Sequence, residues 1–242
     1  FTTLSSEEFF LAAGSNGTIL TSPDGITWTS RNYGENIGFS GVTYANSKFF
    51  VVGNDDILSS TDGISWTSSN TGIYSNESLD DLAYGNNLFV VVGTYQHHIY
   101  SSSNGTSWTL RSTCYSSCKS LTYGNGIFVV GSASYLKTSS DGSTWNSYHF
   151  SSVQNAYLHG LTFGSNTFVG VGYSGFVLTS SDNGTSWDNR TSGTTKIIKR
   201  VTFGNDTFVA VGLDGTILTS SNNGTSWNDR TSISVTINDL QE

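Results

Sequence analysis

The sequence predicts an all-β protein, and within that class a six-bladed β-propeller of four-stranded antiparallel blades. Three observations carry this reading. The tryptophans, Trp28, Trp66, Trp108, Trp145, Trp187 and Trp227, recur 37 to 42 residues apart and are the only six in the 242-residue chain. A period of about 40 residues is that of a propeller blade, so six units use nearly the whole chain and leave residues 1–242 as a single domain. Charged residues are only 12% of the chain while glycines number 27, which is the balance of a turn-rich β protein rather than a helical one.

Every unit repeats one order of elements, seen clearly in residues 201–227, VTFGNDTFVAVGLDGTILTSSNNGTSW. An apolar strand leads through a Gly-Asn turn to a second strand, then through another glycine turn to a third strand and a hairpin ending at tryptophan. The second strands are FLAAG ending at Gly14, FFVVG at Gly53, FVVVG at Gly93, FVVG at Gly131, FVGVG at Gly172 and FVAVG at Gly212. Apolar runs this short and continuous belong to strands covered on both faces, as radial packing between neighbouring blades requires. No segment has a helical period. The C-terminal ISVTINDLQE has the pattern of the segments that open other units, with Ile237 matching Ile198 and Leu240 matching Val201. Residues 235–242 are therefore expected to return beside the first blade as a closing strand, or to be donated to a neighbouring molecule.

The turn before each tryptophan is the most specific signal. Residues 180–187 read SSDNGTSW and 220–227 read SSNNGTSW; shorter copies are SPDGITW at 22–28, STDGISW at 60–66, SSNGTSW at 102–108 and SSDGSTW at 139–145. These segments resemble the S-x-D-x-G-x-[TS]-W pattern of the Asp-box (BNR-repeat) β-propeller superfamily, with Asn in place of Asp in two copies. The resemblance spans all six units and implies an Asp-box hairpin in each blade. It does not choose a function, because sialidases, sortilin-like receptors and photosystem-assembly factors share such hairpins. Asp24, Asp62, Asp141 and Asp182 read as structural: each side chain accepts backbone N–H groups across its turn, and glycine permits the positive φ.

Composition removes several function classes. With 18 Asp+Glu against 10 Lys+Arg, the net charge is −8, so nucleic acid is not expected as a partner. No run approaches the ~20 apolar residues that cross a bilayer, and no membrane insertion is expected. The chain has no methionine and is expected to be a processed form or a fragment. Cys114 and Cys118 in TCYSSCK lack the second Cys or His pair of a zinc site; a local disulfide formed in an oxidising compartment is preferred over two free thiols. N-x-[ST] sequons at Asn16, Asn76, Asn104, Asn183, Asn189, Asn205 and Asn223 fall mostly in expected turns. Together these features favour an extracellular, secreted or cell-surface glycoprotein.

No catalytic set, cofactor or metal site is expected. A sialidase would hold its substrate carboxylate with three arginines and carry an Arg-Ile-Pro motif, yet the only proline is Pro23, inside a turn. Arg31, Arg111, Arg190 and Arg230 each lie three residues after a blade tryptophan, hence at one repeated outer-strand position, which leaves only Arg200 near the channel. A carboxylate clamp needs charge-assisted bidentate bonds that Ser and Asn do not supply. His97 and His98 are adjacent, so on a strand they point to opposite sides; an exposed pair is favoured over a shared metal.

In such a blade the turns between strands 1 and 2 and between 3 and 4 share one end of the propeller. The 2–3 turns and the 4–1 connections share the other. The second end carries the irregular segments, where function usually resides on a regular scaffold. Candidate ligand contacts there are Tyr95, His97, His98, Tyr135 and Tyr173, because tyrosine offers flat apolar area with a hydrogen-bonding tip. Around the channel mouth, Asp80, Asp81, Asp239, His159, Lys199 and Arg200 form a possible mixed-charge site, from which Asp81, His159 and Arg200 are taken as binding residues. The function expected is a non-catalytic recognition module for a glycan or an extracellular protein. The alternatives are a self-assembling structural subunit of an extracellular filament or surface layer, and, least favoured, a sialidase-like glycoside hydrolase.

Overall fold

A computed structural model describes residues 9–31, 33–34, 37–54, 56–69, 72–133, 135–149 and 157–231. The protein is a six-bladed all-β propeller of four-stranded antiparallel blades. Blade 2 comprises Gly41–Ala45, Lys48–Gly53, Asp56–Ser60 and Thr67–Ser68; blade 3 comprises Leu79–Gly85, Leu88–Gly93, His98–Ser102 and Thr109–Thr113. Blade 4 runs Cys118–Gly124, Ile127–Ser132, Tyr135–Ser139 and Asn146–His149; blade 5 runs Leu158–Gly164, Thr167–Gly172, Phe176–Ser180 and Asp188–Thr191. Blade 6 is Ile198–Gly204, Thr207–Gly212, Ile217–Ser220 and Asn228–Asp229. Among the described residues blade 1 shows three strands, Phe10–Ala13, Ile19–Ser22 and Thr29–Ser30, which match strands two to four of the others. The expected closing strand, 235–242, lies outside the described residues.

Within every blade spatial order equals chain order. The first strands of successive blades lie against one another around the axis. The second strands hold the core, and the period of two explains how. In blade 3, Phe89 and Val91 join Phe50, Val52 and Ile57 of blade 2, while the alternate Val90 and Val92 join Leu121, Phe128 and Val130 of blade 4. One strand thus seals two interfaces, and burying each such side chain contributes about 1.5–3 kcal/mol.

The hairpin between the first two strands is short. Gly85 pairs with Leu88 across Asn86 and Asn87, whose φ values of 49° and 57° are those of a type I′ turn. Asn205-Asp206 and Ser165-Asn166 repeat that geometry. At the same end the hairpin before each tryptophan is held by one hydrogen-bond set. Asp62 Oδ1 accepts the N–H groups of Ile64 and Ser65, both at 2.8 Å, and Ser60 Oγ accepts the Gly63 N–H at 2.8 Å. Asn104 does the same work uncharged, accepting from Thr106 at 2.9 Å and Ser107 at 3.0 Å. These backbone donors hold Asp62, Asp141 and Asp182 down at about 2, with the Ser186 hydroxyl leading for Asp182.

The arginines sit where the repeat places them. Arg31, Arg111, Arg190 and Arg230 each donate through Nε to the hydroxyl of Thr21, Ser101, Thr179 and Thr219 respectively, at 2.8 to 3.2 Å. They are fastened to the third strand of their own blades.

Candidate recognition face

The 2–3 turns and 4–1 connections gather at one end, called the loop face below. Four inner strands open there with a β-bulge at the same step. The register slips between Leu79 and Asp81, Cys118 and Ser120, Leu158 and Gly160, and Ile198 and Arg200. The extra residue in each is Asp80, Lys119, His159 or Lys199. A bulge re-aims the side chains beside it, and of the residues at these steps Asp81 and Arg200 reach the channel.

Asp81 and Arg200 line the axial channel with Ser40, Thr43, Tyr84 and Tyr123, around a volume of about 430 Å³. Asp81 Oδ2 accepts the N–H of Leu121 in blade 4 at 2.9 Å, and Oδ1 accepts its neighbour Leu82 N–H at 2.9 Å. Burial pushes this carboxyl up to about 6, although those N–H groups and the Arg200 charge pull the other way. Arg200 Nη1 donates to the His159 carbonyl at 2.8 Å, tying blade 6 to blade 5. The His159 ring packs on Tyr173 with centroids 4.9 Å apart. Four of the residues named from sequence, Asp81, His159, Tyr173 and Arg200, therefore belong to the channel mouth and its blade 5 rim.

His97, His98 and Tyr95 lie apart, in blade 3. Tyr95 is 72% exposed at the tip of the 2–3 turn. His97 has a φ of 63°, which bends the chain, and its Nδ1 is buried without a partner among the described residues. The expectation of an exposed His97–His98 pair is corrected here. His98 turns inward and meets Glu77, its Nδ1 2.7 Å from Oε2 and its side chain only 12% exposed. Glu77 is buried; it also accepts the Tyr100 hydroxyl at 3.3 Å and the Gln96 N–H at 3.1 Å. One carboxylate thereby fastens the connection bearing Tyr74 to the turn bearing Tyr95. Gly93 makes this possible, since a Cβ there would stand 2.4 Å from Glu77 Oε1.

Glu77 and Tyr100 were not evident as site residues. Tyr100 had a usable signal, because it replaces a leucine of the repeat, Leu58, Leu178 and Leu218 elsewhere, all buried. Lys137 breaks the same position in blade 4. Glu77 had no such signal; it sits in an irregular connection with no counterpart in other blades.

In blade 4 the Cys114–Cys118 disulfide, with Cα atoms 6.1 Å apart, closes a five-residue loop. Both cysteines are buried while Tyr115 between them is 74% exposed. Tyr115 packs on Tyr135 at 4.8 Å, and Tyr135 meets His149 edge-on at 4.5 Å. The Lys137 ammonium lies 5.8 Å from the Tyr115 ring centre and donates to Ser147 Oγ at 3.2 Å. Burial lowers the pKa of this lysine.

All seven sequon asparagines are exposed. Asn104, Asn183, Asn205 and Asn223 lie at the opposite end in the 3–4 and 1–2 turns, Asn189 on the outer strand of blade 5, and Asn16 and Asn76 on the loop face of blades 1 to 3. Among the described residues no group of three or more His, Cys, Asp or Glu is arranged to hold a metal ion, and no helix is long and apolar enough to cross a membrane.

No protein-family model matches the chain, and no curated protein matches it. Solved structures do. A structure described as YCF48 bound to D1 peptide aligns with a TM-score of 0.71 at 19% identity, covering 92% of this chain and 77% of that one. YCF48 from Cyanidioschyzon merolae gives 0.70 at 19% identity, covering 95% and 83%. A chain of a nidogen/laminin complex gives 0.66 at 12% identity, covering 88% and 89%. At these identities the likeness is one of fold, and the chain is a β-propeller with propeller neighbours.

Proposed function

We propose that this propeller is a non-catalytic, secreted or cell-surface recognition module that binds a segment of another protein through its loop face. The observation that carries the reading is an arc of exposed tyrosines, Tyr74, Tyr95, Tyr115, Tyr157 and Tyr173, standing on rigid mounts across blades 3 to 5. Tyrosine buries much area at little entropy cost, and a side chain already held in place loses less on binding. The Glu77 clamp and the Cys114–Cys118 loop supply that pre-organisation. Solved neighbours include a propeller bound to a peptide, which supports the reading by analogy of fold. The disulfide and the exposed sequons support the extracellular setting.

The test is to probe the full chain against peptide and glycan arrays in parallel. Peptide binding that falls at least about tenfold in Tyr95→Ala or Tyr115→Ala, and that is unchanged in Ile26→Ser at the opposite end, supports the proposal. Binding confined to glycans, or turnover of a fluorogenic glycoside, overturns it.

A further inference from the structure

Asp81 and Arg200 stand at one repeated position of the propeller. Asp81 lies opposite Val92 and Arg200 opposite Val211; the same step is Gly41 opposite Val52, Ser120 opposite Gly131 and Gly160 opposite Val171. Blades 3 and 6 are three steps apart in a ring of six, so the acid and the base come from opposite sides of the axis. Among the described residues this tier therefore holds one carboxylate, one guanidinium and otherwise only glycine and serine. The glycines let the strands that bear the charges close in: a Cβ on Gly41 would stand 3.1 Å from the Asp81 Cα, and one on Gly160 3.0 Å from the Arg200 Cα. The two charges are also held apart. Asp81 is fixed by the Leu82 and Leu121 N–H groups and Arg200 by the His159 carbonyl, and among the described residues no ion pair joins them. Both line the channel, whose volume of about 430 Å³ falls in the range of small-molecule sites. Asp80, Lys119 and Lys199, the other charged residues beside the mouth, are already engaged.

We propose that the axial channel is a second binding site, whose ligand is a small zwitterion of the free α-amino acid class, its ammonium on the Asp81 carboxylate and its carboxylate on the Arg200 guanidinium. The site goes beyond peptide recognition and does not depend on it, since it uses the channel and not the exposed tyrosines. A carboxylate oxygen that accepts one N–H keeps a second lone pair, and a guanidinium that donates through Nη1 keeps other donors. Each group can thus take a ligand without releasing the strand that holds it. A ligand with one charge fits less well, because an anion on Arg200 would face Asp81 and a cation on Asp81 would face Arg200; the like charge selects against both. Ser40, Thr43 and Thr122 line the same space, with hydroxyls for a polar side chain.

The experiment is calorimetric titration of the full chain, disulfide intact, with each of the standard amino acids. At least one is expected to bind. Its N-acetyl and carboxamide derivatives, each lacking one charge, are expected to bind at least about tenfold more weakly. Asp81→Asn and Arg200→Gln should each weaken the free amino acid by a similar factor, while Asp62→Asn at the opposite end should leave it within about twofold. Should either channel variant fold poorly, the two derivatives on the unaltered chain carry the test alone. No binding by any amino acid, derivatives as tight as the parent, or binding indifferent to both channel variants would overturn the proposal. None of these outcomes touches the peptide reading, which is tested at Tyr95 and Tyr115.

Discussion

At the turn end of the propeller Ser22–Asp24, Ser60–Asp62, Ser102–Asn104, Ser139–Asp141, Ser180–Asp182 and Ser220–Asn222 make one hydroxyl-to-side-chain hydrogen bond six times over. At the loop end a buried carboxylate holds blade 3, a disulfide holds blade 4, and a ring stack borders the channel at blade 5. The same four-stranded blade supports both ends. The difference teaches that the turn end solves one folding problem with one local bond repeated, while the loop end uses a different device in each blade to place particular side chains.

Substitutions can break this contrast, beginning with Glu77. Glu77→Ala is expected to cost about 3 kcal/mol, because it leaves the Gln96 N–H without its acceptor and leaves His98 and the Tyr100 hydroxyl to pair with each other inside the fold. Urea unfolding measures it. A loss below about 1 kcal/mol would mean that the clamp does not hold the two segments together.

The pH dependence should run in opposite directions at the two ends. The Asp81 carboxyl is raised to about 6 in the folded protein, so its contribution is fully present below about 4 and is lost as pH rises through 6. After allowance for its contact with the channel this is worth about 1 kcal/mol, and Asp81→Asn should remove it. The carboxylates of Asp62, Asp141 and Asp182 are lowered to about 2. Their contribution is present above about 4 and is lost as pH falls through 2. Thermal unfolding from pH 2 to pH 8, in wild type and Asp81→Asn, separates the two.

Smaller effects sharpen the comparison. Asp62→Ala should lower the melting temperature by roughly 2–4 °C, whereas Asp62→Asn should recover most of that, since Asn104 and Asn222 already make the turn uncharged. Equal losses in both variants would show that the charge matters and not the acceptor. Tyr115→Ala, at an exposed ring, should change stability by less than about 0.5 kcal/mol; its effect is reserved for binding.

The turn end was legible in the sequence because it repeats. Trp108, Trp187 and Trp227 fell at equivalent positions, and the Asp-box pattern predicted a side-chain oxygen accepting backbone N–H groups across each turn. The second strands were legible for a similar reason, an apolar run admitting only burial on both faces. The loop end was legible in residue type but not in arrangement. Tyr95, His98, Tyr173, Asp81 and Arg200 could be assigned to this end from their place in the repeat, yet nothing local could say that His98 turns inward to Glu77, 21 residues away. The bulges were equally hidden, since Asp80, Lys119, His159 and Lys199, the residues at the bulges, share no one residue type.

Because each second strand divides its side chains between two interfaces, no blade owns a complete core. Phe89 and Val91 have their partners in one neighbour, Val90 and Val92 in the other. A blade cut out of the chain would expose half of its apolar side chains on each face, so a single-blade fragment has nothing to fold around. Unfolding should accordingly spread from blade to blade as one cooperative event, and a protease that nicks an exposed turn tip should leave the pieces held together.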